Sequence, residues 1–267
     1  MLSTQHISYR IGSKNILQDI TADFLPGEFN MILGPNGSGK STFLKIFSGE
    51  IKDFSGDILY AGDDIHSFKP ITLAKQRAVM SQQPELSFPL SVEEVVMMGR
   101  YPHFTFNPGK KDQQICDEVI GRMQLEAFRE RNYLTLSGGE KQRVQFARML
   151  AQVWETPATG YRYIFLDEPL NNLDINYQQE FLQVARAMAQ QNTILVAVMH
   201  DINLALQYAD KIFFLKNGKL AAAGKPATVV TEAMIENVFN VEVSIINNPI
   251  SNAPLIVFGK KKTAADK

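Results

Sequence analysis

The run Gly34-Pro35-Asn36-Gly37-Ser38-Gly39-Lys40-Ser41-Thr42 constrains this chain more than any other stretch, because few local geometries accept it. It matches G-x-x-x-x-G-K-[ST], follows the apolar run Phe29 to Leu33 that reads as a buried strand, and precedes Phe43 to Phe47, which suits a helix. Glycines at these spacings let successive backbone N–H groups close around phosphate oxygens. Lys40 then supplies positive charge to β and γ phosphates, and the Ser41 hydroxyl is placed to ligate Mg²⁺. At ordinary residue frequencies a chain of 267 residues would show about 0.01 such matches by chance, so a phosphate loop is preferred to a glycine-rich turn. A strand, loop and helix of this kind require an α/β core.

The composition supplies the material for one. With 45% hydrophobic and 21% charged residues the chain is an ordinary globular protein of one large domain or two small ones. Lysine and arginine total 27 against 28 acidic residues, so no basic field exists to hold nucleic acid. Cys116, the only cysteine, rules out an intrachain disulfide framework and a cysteine zinc cluster, fits a reducing compartment, and reads as a small buried hydrophobe. Met1 to Arg10 lacks the basic and apolar segments of a secretion signal, and no apolar run approaches the roughly 18 residues of a membrane span, so a cytosolic chain is expected. Residues 243–259 carry no charge, but Asn247, Asn248, Pro249, Asn252 and Pro254 interrupt them, which favours an irregular or strand segment. Lys260, Lys261 and Lys262 read as a solvated tail.

Two further apolar runs, Tyr163 to Leu166 and Thr193 to Met199, read as buried strands, and each ends in polar chemistry: Asp167 and Glu168 after the first, His200 after the second. Open α/β sheets bind ligands at such carboxyl ends. Thr4 to Arg10 and Ile16 to Phe24 resemble a hairpin turning at Gly12-Ser13, and Ile212 to Leu215 with Lys219 to Ala223 flank Asn217-Gly218, a dipeptide suited to a two-residue turn. Between about 84 and 160 helical periodicity takes over, in Val92 to Met98, Asp112 to Met123 and Glu140 to Gln152, which predicts an inserted helical subdomain.

Asp167 and Glu168 are the groups a metal and an attacking water need: the first to hold Mg²⁺ through water, the second to orient or deprotonate the nucleophile. Alone, such a pair reads as a helix N-cap; the phosphate loop tips the balance. Ser137-Gly138-Gly139-Glu140 opens another helix. Ser137 and Glu140 have capping-box spacing, but two glycines in the first turn each cost about 1 kcal/mol of helix propensity relative to Ala and weaken that reading. A serine hydroxyl, bare N–H groups and a positive helix terminus instead make a second phosphate-binding surface. Two anion sites with one cradle imply that two chains share each nucleotide.

These segments, LSGGEKQRV with GPNGSGKST and YIFLDEP, resemble the ATP-binding subunits of ABC transporters, and the resemblance runs from the first hairpin to about residue 240. It implies a single ABC ATPase domain over 1–267: a P-loop NTPase α/β core with a mixed sheet from 1–83 and 161–267, an N-terminal antiparallel β subdomain, and a helical subdomain over 84–160 that carries the signature. ATP and Mg²⁺ are implied with it. Ser137, Gly138 and Gly139 would cap the γ-phosphate of ATP held by the opposite subunit of a head-to-tail homodimer. Gln82, with Gln83 as a close competitor, would reach Mg²⁺ and the attacking water; His200 would touch the γ-phosphate; Tyr9 would stack on adenine. His6, His66 and His103 keep structural readings.

Two departures stand out. The family commonly has a Ser-Ala-Leu-Asp type D-loop where this chain has Asn171-Asn172-Leu173-Asp174, and Trp154 to Arg162 is a polar insertion expected to form a surface loop. Leu86 to Leu90 and Val95 to His103 resemble ATPases serving siderophore, haem and vitamin B12 importers, and the insertion is most similar to the haem branch. The resemblance therefore implies ATP hydrolysis that powers haem import through separate permease subunits, indirectly with a periplasmic haem-binding protein, at the cytoplasmic face of the inner membrane. Ferric siderophore or cobalamin import, or a soluble iron–sulfur assembly ATPase, are the alternatives. Phe88, Met97, Met98 and Tyr101 either line a groove for a short amphipathic permease helix or simply pack a core.

Overall fold

The N-terminal hairpin forms as expected: Leu2–Ile11 (β1) pairs antiparallel with Lys14–Phe24 (β2) across Gly12, whose φ is +57°. The computed structural model describes residues 1–81, 86–157, 160–171, 173–251 and 253–261. Phe29–Leu33 (β3) is buried at every position, as its unbroken apolar run requires, and Lys40–Phe47 (α1) follows it. Phe43 and Phe47, one helical turn apart, meet edge to face at 4.9 Å, while Phe24 lies 5.4 Å from Phe47 and 4.6 Å from Phe213. This aromatic cluster seats α1 against β2. Ser55–Tyr60 (β4) and Asp63–Asp64 (β5) complete an antiparallel sheet in the order β2-β1-β4-β5.

Chain contacts divide the protein into two compact units, Met1–Ile65 with Arg186–Lys267, and His66–Ala185. In the second, Pro70–Gln76 (α2) leads into Arg77–Met80 (β6). The helices Val92–Met98 (α3), Lys110–Arg122 (α4) and Gly138–Gln152 (α5) lie where periodicity predicts them, and Arg162–Asp167 (β7) runs parallel to β6, followed by Ile175–Ala189 (α6), which belongs to this unit as far as Ala185. This unit is wider than the 84–160 insertion read from the sequence. A physical reason is visible at Gln152, whose Nε2 donates to Ala74 O at 2.8 Å and Arg77 O at 2.9 Å and so ties the end of α5 to the start of β6.

A buried cation organises the helices. Arg100 is 1% exposed, and its guanidinium donates to Asp112 Oδ1 at 3.0 Å, Ala151 O at 2.8 Å and Glu155 Oε2 at 2.6 Å. Asp112 also accepts the Gly109 N–H at the start of α4, so one carboxylate serves a helix cap and an ion pair together. Glu155 belongs to the stretch expected as a surface loop. Among the described residues from Trp154 to Tyr161 no helix or strand forms and Thr156 is exposed, so the loop expectation holds there, while Arg162 departs from it as a buried residue of β7. The loop is anchored at its start, where Trp154 Nε1 donates to Glu118 Oε2 at 2.9 Å and Trp154 and Glu155 are half-buried.

The remaining elements return to the first unit. Thr193–Val198 (β8) and Lys211–Lys216 (β9) flank β3 in parallel, and Lys219–Gly224 (β10) pairs antiparallel with β9 across Asn217 and Gly218, at φ +51° and +76°; the expected mixed α/β sheet results. Ile202–Tyr208 (α7), Pro226–Val229 (α8) and Glu232–Phe239 (α9) cover this end of the chain. Val241–Asn247 (β11) and Pro254–Lys261 (β12) form a hairpin, so the uncharged stretch is strand, and Lys261 ends it; Lys262 lies outside the described residues. Among the described residues no helix is long and apolar enough to cross a membrane.

Arg100→Met should cost about 3–5 kcal/mol, because it leaves the buried Asp112 carboxylate without its cation. Urea unfolding of the variant beside wild type measures this directly.

Candidate active site

The phosphate loop depends on backbone that only glycine adopts readily. Gly34, Gly37 and Gly39 have φ of +154°, +76° and +98°. A Cβ at Gly34 would stand 2.1 Å from Leu215 O, and one at Gly39 would stand 2.6 Å from Leu17 Cδ2, so space as well as conformation excludes side chains. Inside the loop, Lys40 is 6% exposed and its Nζ donates to Gly34 O at 2.9 Å and Pro35 O at 3.2 Å. Asn36 and Gly37 are exposed at the loop's crest, and Ser38 N donates to Pro35 O at 3.2 Å. Ser38 Oγ is buried without a hydrogen-bond partner. α1 starts at Gly39 with no side-chain cap and no acidic residue of its own in its first turn, where the positive end of its dipole lies. An orphaned hydroxyl, an enclosed ammonium and a glycine cradle at a helix N-terminus fit a phosphate chain.

A neighbour that sequence reading missed holds this loop. Gly218, singled out only as a hairpin residue, donates its N–H to Ser38 O at 3.1 Å, and its own carbonyl accepts Gln18 N at 2.8 Å. A Cβ there would lie 2.4 Å from Ile16 O. The turn between β9 and β10 is thus wedged between β2 and the loop.

Tyr9 and His200 share the unit with the loop. Tyr9 is half-buried and is the register partner of Leu17, whose side chain covers Gly39. Paired residues on adjacent antiparallel strands face the same way, so the Tyr9 ring belongs to the sheet face that meets the loop. His200 is exposed beyond β8, where Ile32 pairs with Val198 and Met199 N donates to Ile32 O at 3.1 Å. Gly34 and His200 each stand two residues past that register pair, which sets them at adjoining strand ends. Ser41 and Thr42 are half-buried in the first turn of α1.

In the other unit, Asp167 is 4% exposed at the end of β7, and Glu168 follows with φ +52°. A Ser41 hydroxyl and an Asp167 carboxylate are hard oxygen donors of the kind Mg²⁺ takes. Ser137 does form the capping box: Glu140 N donates to its Oγ at 3.3 Å and its own N–H to Glu140 Oε2 at 2.7 Å. The expectation that the glycines disfavour this box is therefore corrected, since both occupy the first turn, where N–H groups need no intrahelical acceptor. The backbone bond from Ser137 holds the Glu140 carboxyl below its usual range. Ser137 and Gly138 are exposed and Gly139 is half-buried. One helical turn on, Gln142 Nε2 donates to Pro169 O at 2.8 Å and so joins the signature helix to the turn bearing Glu168. Gln82, Gln83 and Asn172 lie outside the described residues.

The four residues expected at a groove divide. Phe88 and Tyr101 are 70% and 58% exposed, whereas Met97 and Met98 are half-buried and the Cys116 thiol contacts Met97 Sδ at 3.8 Å. For Met97 the core reading replaces the groove reading. Cys116 is buried as expected, and burial pushes its pKa up to about 12.

Residues 17–171 match the ABC transporter family. The hemin import ATP-binding protein HmuV of Gloeobacter violaceus is 42% identical over 257 residues, 96% of this chain and 94% of that protein. Its counterpart in Escherichia coli O157:H7 is 38% identical over 258 residues, 96% and 99% of the two. Among solved structures, a metal-chelate type ABC transporter in an inward-facing conformation agrees at TM-score 0.81 over 97% of both chains with 24% identity, a likeness of fold. A dimeric ATP-binding cassette bound to ADP and Pi in a post-hydrolysis state agrees at TM-score 0.71 with 27% identity, over 84% of this chain and 98% of that one.

Gly218→Ala tests the wedge. It should lower stability by about 1–3 kcal/mol through backbone strain and the Ile16 contact, and it should weaken ATP binding by disturbing Ser38. Calorimetric titration with ATP reads the second effect, and unchanged affinity would show that the turn does not shape the loop.

Proposed function

The chain belongs to the ABC transporter family, and we propose that within it this protein is the ATP-hydrolysing subunit that powers hemin import through a separate membrane permease. The observation that carries the cargo is the 38–42% identity to hemin import ATP-binding proteins over 96% of the chain. The ATPase itself never needs to touch hemin, so no residue of the site reports on it.

Gly34 to Thr42 receive the phosphates of ATP, with Lys40 balancing charge on the β and γ groups and Tyr9 stacking on the adenine. Ser41, Gln82 and Asp167 would hold Mg²⁺, which when bound neutralises phosphate charge as the terminal bond breaks. Glu168 takes the proton from the attacking water, and Gln82 and His200 position the water and the γ-phosphate. Ser137, Gly138 and Gly139 face the γ-phosphate on a partner copy in a head-to-tail homodimer; the exposed serine and the dimeric cassette bound to ADP and Pi support this. Phe88, Tyr101 and the 91%-exposed Phe106 offer apolar surface to a cytoplasmic helix of the permease, which would hold the protein at the inner membrane as a peripheral subunit. A periplasmic hemin-binding protein would deliver cargo on the far side.

Glu168→Gln should keep ATP affinity, lose roughly 10²–10⁴-fold in hydrolysis, and accumulate as an ATP-bound dimer on size-exclusion chromatography. Near-wild-type turnover would remove Glu168 from the base role.

In a reconstituted complex with its permease and binding protein, hemin should raise ATP hydrolysis by wild type but not by Phe88→Ser combined with Tyr101→Ser, whose basal rate and folding should be intact. Stimulation by a ferric siderophore or cobalamin, with none by hemin, would replace the cargo and leave the transport reading standing.

A further inference from the structure

We infer that Asn171, where the chain departs from the Ser-Ala-Leu-Asp pattern common in the family, is a positioning residue for Glu168, an inference that rests on Glu168 being the general base. Asn171 Nδ2 donates to Glu168 Oε2 at 2.9 Å, and Asn171 N donates to Glu168 O at 3.4 Å, so one residue touches both the carboxylate and the backbone of the base. A serine or alanine at this position ends short of the amide nitrogen that makes the side-chain bond.

Glu168 needs such support because its own backbone does not settle where its side chain lies. Its φ of +52° is a left-handed conformation that a long side chain adopts only when its surroundings impose it. Downstream, Pro169 fixes a second φ, and Gln142 Nε2 grips the Pro169 carbonyl at 2.8 Å. These contacts hold the backbone around the base, and the Asn171 amide reaches its side chain. An amide donor on Oε2 orients the carboxylate. Asn171 is itself exposed, so its substitution removes this contact without opening a core.

Asn171→Asp is the sharp variant, because it keeps the shape and replaces the donor by an acceptor that repels Glu168; Asn171→Ala is its uncharged control. In the full-length protein both should lower kcat for ATP about 10–100-fold, the scale of a lost hydrogen bond to a charged group, while KM and ATP affinity stay within about twofold. Combined with Glu168→Gln, either change should alter the residual rate by less than about twofold, because the residue acts through the base. Unchanged kcat in both variants, a KM effect without a kcat effect, or the same fold loss in the Glu168→Gln background would each overturn the role of Asn171 while an inactive Glu168→Gln leaves the base assignment intact. Full turnover by Glu168→Gln alone would overturn both.

Discussion

The geometry of the phosphate loop rests on three glycines at positive φ, two of which, Gly34 and Gly39, have the space of a side chain taken by neighbouring protein. Leu215 O fills the space beside Gly34, and Leu17 with Ile16 O fills that beside Gly39, so the loop is moulded against the strands on either side of it. The first unit follows from this demand. β3 must deliver the chain to Gly34 fully buried, α1 must be held by the cluster of Phe24, Phe43, Phe47 and Phe213, and the β9–β10 turn must approach closely enough for Gly218 to bond Ser38. Burial of an enclosed lysine beside an unpaired hydroxyl makes this arrangement costly until an anion arrives. That cost is a local price of readiness to bind.

The second unit solves a different problem with side-chain amides and guanidinium groups. Its helices present a serine-glycine surface at one end of α5, its sheet strand β7 ends at the Asp167–Glu168 pair, and side-chain hydrogen bonds to carbonyls join them. Gln142 on Pro169 and Gln152 on Ala74 and Arg77 recognise backbone, and Arg100 adds the Ala151 carbonyl to its two carboxylate partners. Such bonds fix the positions of whole elements, because a carbonyl moves only with its strand or helix. Asn171 extends the same device to the carboxylate of Glu168.

Cargo specificity has a different physical origin from catalysis in this protein. The residues that contact ATP serve any cargo, since phosphate and adenine are the same in every case. Under the proposed function, what distinguishes a hemin importer lies on surface that meets a permease, and the exposed Phe88, Tyr101 and Phe106 are apolar candidates for it.

Much of the candidate site was legible in the chain because it is written in contiguous segments. The phosphate loop, the Asp167–Glu168 pair and the signature each have a physical signature of spacing: glycines where positive φ is needed, carboxylates at a strand exit, a serine at a helix start. The strands around them were legible for the same reason, since unbroken apolar runs and an Asn-Gly turn are local properties. Tertiary structure alone decided which distant residues finish the work. Nothing in Asn217-Gly218 announces a bond to Ser38, nothing in Arg100 announces burial among Asp112, Ala151 and Glu155, and nothing in Trp154 announces a bond to Glu118. Local pattern reports the conformation a segment prefers, whereas close approach and shared hydrogen bonds depend on elements far apart in sequence, and these arise only when the chain has folded.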